Sequence, residues 1–197
     1  PEMQSIPLPE VDETVRPAFP LRQFCIRFGT GGRDAALWSM RLGQREVYGT
    51  MIAHGMALFS GRKEFGEMHP DYFALRGGKR DNLRDDSKRQ LCLSSEGLFK
   101  ENVAFARATF DIYKYDVVSI MPPDGFSMCQ CEKCAGKSTP ERGSRGSVSD
   151  YVWDYVNRAA KEVARTHSDR KILCCAYGAY TLPPLKIDKL ISNVVVM

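Results

Sequence analysis

A chain of 197 residues, 43% hydrophobic and 26% charged, has the length and make-up of one soluble globular domain that can bury a core without disulfide staples. A formal charge of +4 with no clear basic stripe argues against nucleic acid as a partner, and no apolar run approaches the roughly 20 residues of a spanning helix. The seven cysteines, Cys25, Cys92, Cys129, Cys131, Cys134, Cys174 and Cys175, are odd in number and dominated by one tight cluster, which does not read as a disulfide framework.

In chain order, residues 1–20 carry Pro1, Pro7, Pro9, Pro17 and Pro20 among polar and acidic neighbours, and read as a linker or the tail of a preceding domain. The chain opens at Pro1 with neither an initiator Met nor a charged-then-apolar leader, so location is not read directly from the residues. From residue 21 onward short apolar runs alternate with helix-length segments. The runs 21–28, 51–59, 90–93, 115–121, 171–177 and 193–197 are the candidate strands. Residues 76–89 mix both charge signs and read as a solvated loop.

Two of the intervening segments have a helical period. Phe99, Val103, Ala106 and Phe110 recur at i, i+4, i+7 and i+11, with Ser94 or Ser95 available as a cap and Glu96 in the first turn. Val152, Val156, Ala159 and Val163 repeat the same offsets after Ser149 and Asp150. Each segment should therefore be a helix with one buried face. Strand and helix in alternation imply right-handed crossovers and a parallel sheet, for which an open doubly wound sheet and a closed (β/α)8 barrel of the TIM type both fit. With about five or six strands, against the ~250 residues of a whole barrel, residues 21–197 are expected to be the N-terminal part of a barrel that is incomplete in this chain.

Chemistry concentrates after the run 115–121. That apolar strand ends in Pro122-Pro123-Asp124-Gly125, which sets Asp124 just past a carboxyl end, where ligands bind in parallel α/β folds. The same Pro-Asp-Gly is also a turn sequence in its own right. Cys129, Cys131 and Cys134 follow with Cys-x-Cys-x-x-Cys spacing, three of the four ligands that tetrahedral zinc requires. No His lies nearby, so Cys92, Cys174, Cys175 or an acid would have to supply the fourth in space; the alternative is a packed loop of reduced thiols or one disulfide with a spare Cys.

His54 stands near a predicted strand end, where its imidazole could meet a hydroxylated ligand, although a lone His more often serves structure. His69 reads as ordering a loop, and His167 as ending a helix where a cation favours the dipole. No Ser or Cys lies in a nucleophile elbow, and Gly29-Thr30-Gly31-Gly32 lacks the phosphate-loop spacings. Trp38, Tyr72, Phe73, Phe126, Tyr177 and Tyr180 suit stacking on sugar rings or an ordinary core equally well.

Taken in order, His54, the segment His69-Pro70-Asp71-Tyr72-Phe73-Ala74-Leu75 with Gly78-Lys79-Arg80, then Gln90-Leu91-Cys92-Leu93-Ser94, then Asp124-Gly125 with the three clustered cysteines, resemble the bacterial domain-of-unknown-function family 4838 over roughly residues 14–197. The resemblance implies a glycoside-hydrolase-like barrel in exported proteins, preceded by a small domain like that of alpha-glucuronidases, with some members similar to the endo-acting β-N-acetylglucosaminidases of glycoside hydrolase family 163. It implies a secreted or periplasmic protein.

The leading expectation is thus a glycoside hydrolase acting on a glycan, one containing N-acetylglucosamine being the resemblance's suggestion. Asp124 is its catalytic candidate, His54, Tyr177 and Phe126 its substrate contacts, and a carboxyl group beyond Met197 would complete the acid–base pair that glycosidic cleavage usually needs. On that expectation this stretch alone should not turn over a glycan. A Gly follows Asp124 where a hexosaminidase-like site would place Glu, which leaves room for Asp124 to bind or orient rather than to transfer a proton. The alternative is a carbohydrate-binding or structural barrel without catalysis, its loop held by the cysteines. A metal-dependent enzyme is the third reading, disfavoured because a three-Cys site reads as structural. No cofactor is required for catalysis, a structural zinc at Cys129, Cys131 and Cys134 is allowed for, and the oligomeric state is not legible.

Overall fold

Two amphipathic helices and three short apolar strands carry the architecture. A computed structural model describes residues 10, 12–14, 41, 54–83 and 89–197. The chain divides into two units, Pro1–Tyr48 and Gly49–Met197, and the helices and strands from Ala57 onward belong to the second. The candidate strand 21–28, the glycine loop 29–32, Trp38 and Cys25 lie outside the described residues, as does the Pro-rich start apart from residues 10 and 12–14.

Helices α1 (Ala57–Ser60) and α2 (Lys63–Met68) lead into a tight hairpin of β1 (Leu75–Arg76) and β2 (Lys79–Arg80), then α3 (Glu96–Tyr113), β3 (Val117–Ser119), α4 (Gly143–Gly146), α5 (Ser149–Ala164), β4 (Lys171–Cys174) and β5 (Val194–Val196). The sheet β3-β4-β5 is parallel at both junctions, pairing Val118 with Ile172 and Leu173 with Val195. Ile172, Leu173 and Cys174 are wholly buried, as the middle strand of a covered parallel sheet should be. Among the described residues there are five strands in two small sheets, so the mixed α/β class and the parallel pairing stand while a closed barrel is not itself displayed.

Both predicted helices form. Ser95 caps α3 by accepting the Leu98 N–H at 3.3 Å, and the helix ends where Lys114 turns left-handed at φ 56° and its N–H meets the Phe110 carbonyl. Its buried stripe is Leu98, Asn102, Val103, Ala106 and Phe110. Phe99 sits at the edge instead, edge-on to Tyr155 and beneath the Arg158 guanidinium. In α5 all of Val152, Val156, Ala159 and Val163 are buried, each Val contributing about 1.5–3 kcal/mol of burial. Where α3 meets α5, Asn102 Nδ2 donates to the Tyr155 hydroxyl at 3.2 Å.

Three expectations are corrected. In the run 51–59 the described part, 54–59, turns at Gly55 and enters α1 rather than continuing a strand, because Gly55 is pressed against the Ser119 carbonyl. The run 90–93 makes one antiparallel bridge, Leu91 to Phe73, instead of joining the parallel sheet, since the backbone of Tyr72 and Ala74 already supplies its partners. Residues 76–89 are not simply a solvated loop. The β1-β2 hairpin opens it, Asp81 is buried and accepts from Arg76 and the Gln90 N–H, and Arg89 is buried at its far end, donating to the Arg62 carbonyl.

Candidate functional site

The loop that follows β3, residues 120–134, contains almost no regular structure, so its shape depends on what its side chains meet. At its far end a single 3-10 turn, Glu132–Cys134, brings Cys131 and Cys134 together. Cys92, on the segment after the Leu91 bridge, faces them with its Sγ 3.7 Å from Cys131 and 3.6 Å from Cys134. With Cys129 the four sulfurs all lie within 4.8 Å of one another, a group that could hold a metal ion. Cys92 is therefore the fourth member that spacing alone leaves open. Cys174 and Cys175 stand apart, Cys174 buried in β4.

The surroundings are those of a charged sulfur cluster. The Leu75 N–H donates to Cys129 Sγ at 3.2 Å, the Tyr151 hydroxyl lies 3.1 Å from Cys134 Sγ, and Ser94 Oγ lies 3.3 Å from the same sulfur. Lys137 donates to Ser94 Oγ and sits over the Tyr151 ring, placing a cation beside the group. The hydrogen bond with the Cys92 thiol, helped by Ser94 and Tyr151, pulls Cys134 down to about 4. Cys92 is pushed up in turn, because it keeps the proton given to that bond and is itself buried. Burial pushes Cys129 up as well. Four sulfurs this close cannot all ionise unless a cation lies among them.

The near end of the loop holds a different group. Three contacts converge on one oxygen of Asp124: its own turn's Gly125 N–H at 2.9 Å, the Tyr177 hydroxyl at 3.3 Å, and His54 Nε2 at 3.6 Å. His54 Nδ1 lies 2.6 Å from the Pro122 carbonyl, so that nitrogen carries the proton. The His54 and Tyr177 rings meet edge to face with centroids 5.8 Å apart. Asp124 follows the carboxyl end of β3 and Tyr177 that of β4, so the three side chains gather at one end of the parallel sheet. His54 is delivered there by Gly55, whose missing Cβ would sit 1.8 Å from the Ser119 carbonyl oxygen, and by the Met56 N–H bonding the Met121 carbonyl. The turn reading of Pro-Asp-Gly holds too, with Gly125 at φ 68°.

Phe126 is partly buried and packs edge-on against Tyr180 rather than beside Tyr177. Phe73 and Tyr180 are core residues and not free to stack on a ligand, whereas Tyr177 is 49% exposed. His69 stacks on Tyr72, and His167 meets Asp111 at 3.2 Å.

One residue of consequence is missed by sequence reasoning. Gln90, 2% exposed, donates from Nε2 to the Asp124 carbonyl at 2.7 Å and accepts the Ser127 N–H at 3.2 Å. Nothing in a lone Gln within an apolar run signals such a role; only the loop it fastens does.

A family model described as Domain of unknown function (DUF4838) matches residues 1–197. No curated protein matches the chain.

Proposed function

We propose, for a chain that belongs to the DUF4838 family, that the carboxyl-terminal end of its parallel strands is the glycan-binding mouth of a glycoside-hydrolase-like (β/α)8 barrel. The barrel reading is supported by β3, β4 and β5 being immediate neighbours in chain order, as successive strands of a barrel are at every step.

The observation that carries the proposal is the convergence of His54 and Tyr177 on the Asp124 carboxylate. With Nδ1–H committed to Pro122, the His54 ring turns Nε2 towards Asp124, 3.6 Å from a carboxylate oxygen. A carboxylate oxygen and a ring nitrogen side by side suit hydroxyls on adjacent carbons of a sugar ring. The half-exposed Tyr177 ring offers an apolar face to the sugar's C–H groups. Asp124 supplies one carboxyl of the two that cleavage usually uses, as an acceptor held by the Gly125 N–H and the Tyr177 hydroxyl. An N-acetylglucosamine-containing glycan acted on in an exported protein is the substrate class this reading takes.

Calorimetric titration with N-acetylglucosamine oligosaccharides tests it. His54→Ala and Asp124→Ala should each weaken binding by roughly tenfold or more, the worth of a hydrogen bond to a charged or well-placed group. Equal affinity in both variants and the parent would sink the reading.

The second part of the proposal is that the four thiols take zinc. A tetrahedron with Zn–S near 2.3 Å has sulfur–sulfur edges of about 3.8 Å, and Cys92 stands 3.6 and 3.7 Å from two of its partners, with all four sulfurs within 4.8 Å of one another. Four protein thiolates close the coordination sphere, which favours a structural ion over a catalytic one. Bound there, zinc would supply a rigid node for the loop.

A further inference from the structure

Between Asp124 and Cys134 the chain has no sheet ladder and only one 3-10 turn. Its attachments to the rest of the unit are few and specific. Gln90 holds the backbone at Asp124 and Ser127, the β1 region holds Gln130 through the Leu75 carbonyl and the Gly77 N–H, and Cys92 meets the clustered thiols. Gln90 and Cys92 are two residues apart, so they project to the same side of an extended segment. That segment is locked by the Ala74 N–H to the Gln90 carbonyl and the Cys92 N–H to the Tyr72 carbonyl, both at 2.9 Å.

From this we infer that the four-cysteine centre is the remote anchor of Asp124, and that Gln90 is the positioning residue linking the two. When the ion ties Cys129, Cys131 and Cys134 to Cys92, the far end of the loop is fixed to the same segment that holds its near end. The carboxylate then meets His54 and Tyr177 without a search over loop conformations, which is how a rigid support lowers the cost of binding. Without the ion the far end keeps its bonds to β1, its thiol contacts and its packing in the core but loses the tie through the metal to Cys92, and the position of Asp124 broadens. The inference rests on the zinc reading of the four thiols, and it does not require the ligand to be a sugar.

The test uses the isotopically labelled chain, with zinc content measured directly and backbone amide resonances read in the absence of any sugar. The zinc-loaded protein should carry one ion per chain. Stripping it with a chelator at neutral pH should shift the amides of Gly125 and Ser127 while leaving Ala159, in the core of α5, in place. Gln90→Met should keep the zinc and shift, besides those two amides, that of Tyr177, which reaches the Asp124 carboxylate through its own hydroxyl. If stripping disturbs the whole spectrum, the Tyr177 amide in Gln90→Met decides. Gly125 and Ser127 unmoved by stripping, or Tyr177 unmoved in Gln90→Met, would overturn the inference, and so would a wild-type chain that takes up no zinc. A protein that shows the coupled shifts yet binds no glycan keeps this coupling and loses only the sugar reading.

Discussion

Gln90 Nε2 donates to the Asp124 carbonyl at 2.7 Å, and Cys92, two residues further on, sets its Sγ 3.7 Å from that of Cys131. One short buried segment thereby grips a ladder-free loop at both ends. The arrangement ties the carboxylate group to the thiol cluster, whose loop members lie five to ten residues further along, in one structure.

The metal centre should depend on Cys92 and not on Cys174 at the end of β4 or Cys175 just after it. Cys92→Ser is expected to abolish stoichiometric zinc binding and to destabilise by on the order of 3 kcal/mol, the scale of losing a structural metal ligand. That corresponds to a fall in Tm of roughly 6–12 °C for a chain of this size. Cys175→Ser, outside the cluster, should leave zinc content at the parent value. Elemental analysis of both variants checks this, and equal zinc in the two would contradict it.

Without metal the cluster should make stability depend on pH in a stated direction. Cys134 is held at about 4 when folded, below an ordinary thiol, so its contribution is fully present above the unfolded value of ~8.5 and is lost as pH falls through about 4. Cys92 is raised, so the folded state keeps a proton that the unfolded chain releases, and stability declines as pH climbs past the ordinary thiol range. Denaturant unfolding of the metal-free protein should therefore show a maximum near the ordinary thiol range with a fall on each side. A flat profile between pH 4 and 8 would remove the shared-proton account.

Gly55 should not tolerate a side chain. A Cβ would stand 1.8 Å from the Ser119 carbonyl oxygen, so Gly55→Ala must push the His54 turn away from the end of β3. Overpacking of this kind costs about 1–3 kcal/mol. The fold should survive with a lowered Tm, and affinity for N-acetylglucosamine oligosaccharides should drop at least tenfold. Parent-like affinity in a folded Gly55→Ala protein would detach His54 from the site.

Periodic, local features are legible in the sequence: α3 and α5, the apolar strands around Val118, Ile172 and Val195, and an acid just beyond a strand end. These follow from spacing alone. The run 90–93 looks equally like a strand of the parallel sheet, because an apolar tetrapeptide does not reveal its partner; the bridge from Leu91 to Phe73 is settled by the hairpin next to it. The three clustered cysteines are visible as a motif, but the choice of Cys92 over Cys174 or Cys175 is a matter of where chain segments meet in space. Gln90 is invisible for the same reason, since its role lies in two backbone groups more than thirty residues away.

Asp124→Asn keeps shape and removes charge, which separates an electrostatic or proton-transfer role from a turn role. Should the protein cleave a glycan, this change is expected to lower kcat/KM about 100-fold or more with the Tm nearly unchanged. A loss under about tenfold would assign Asp124 to the turn that its Oδ1 makes with the Gly125 N–H.

The most direct measurement is a titration of the labelled, zinc-loaded chain with N-acetylglucosamine oligosaccharides, following backbone amides. The account predicts that His54, Gly125 and Tyr177 shift together and saturate along one binding curve, and that Asp124→Ala moves that curve at least tenfold to higher glycan concentration. These residues come from three separate stretches of chain and meet at Asp124. Saturable shifts confined to other surfaces, or none at any glycan concentration, would contradict the claim that this end of the sheet is a glycan-binding mouth.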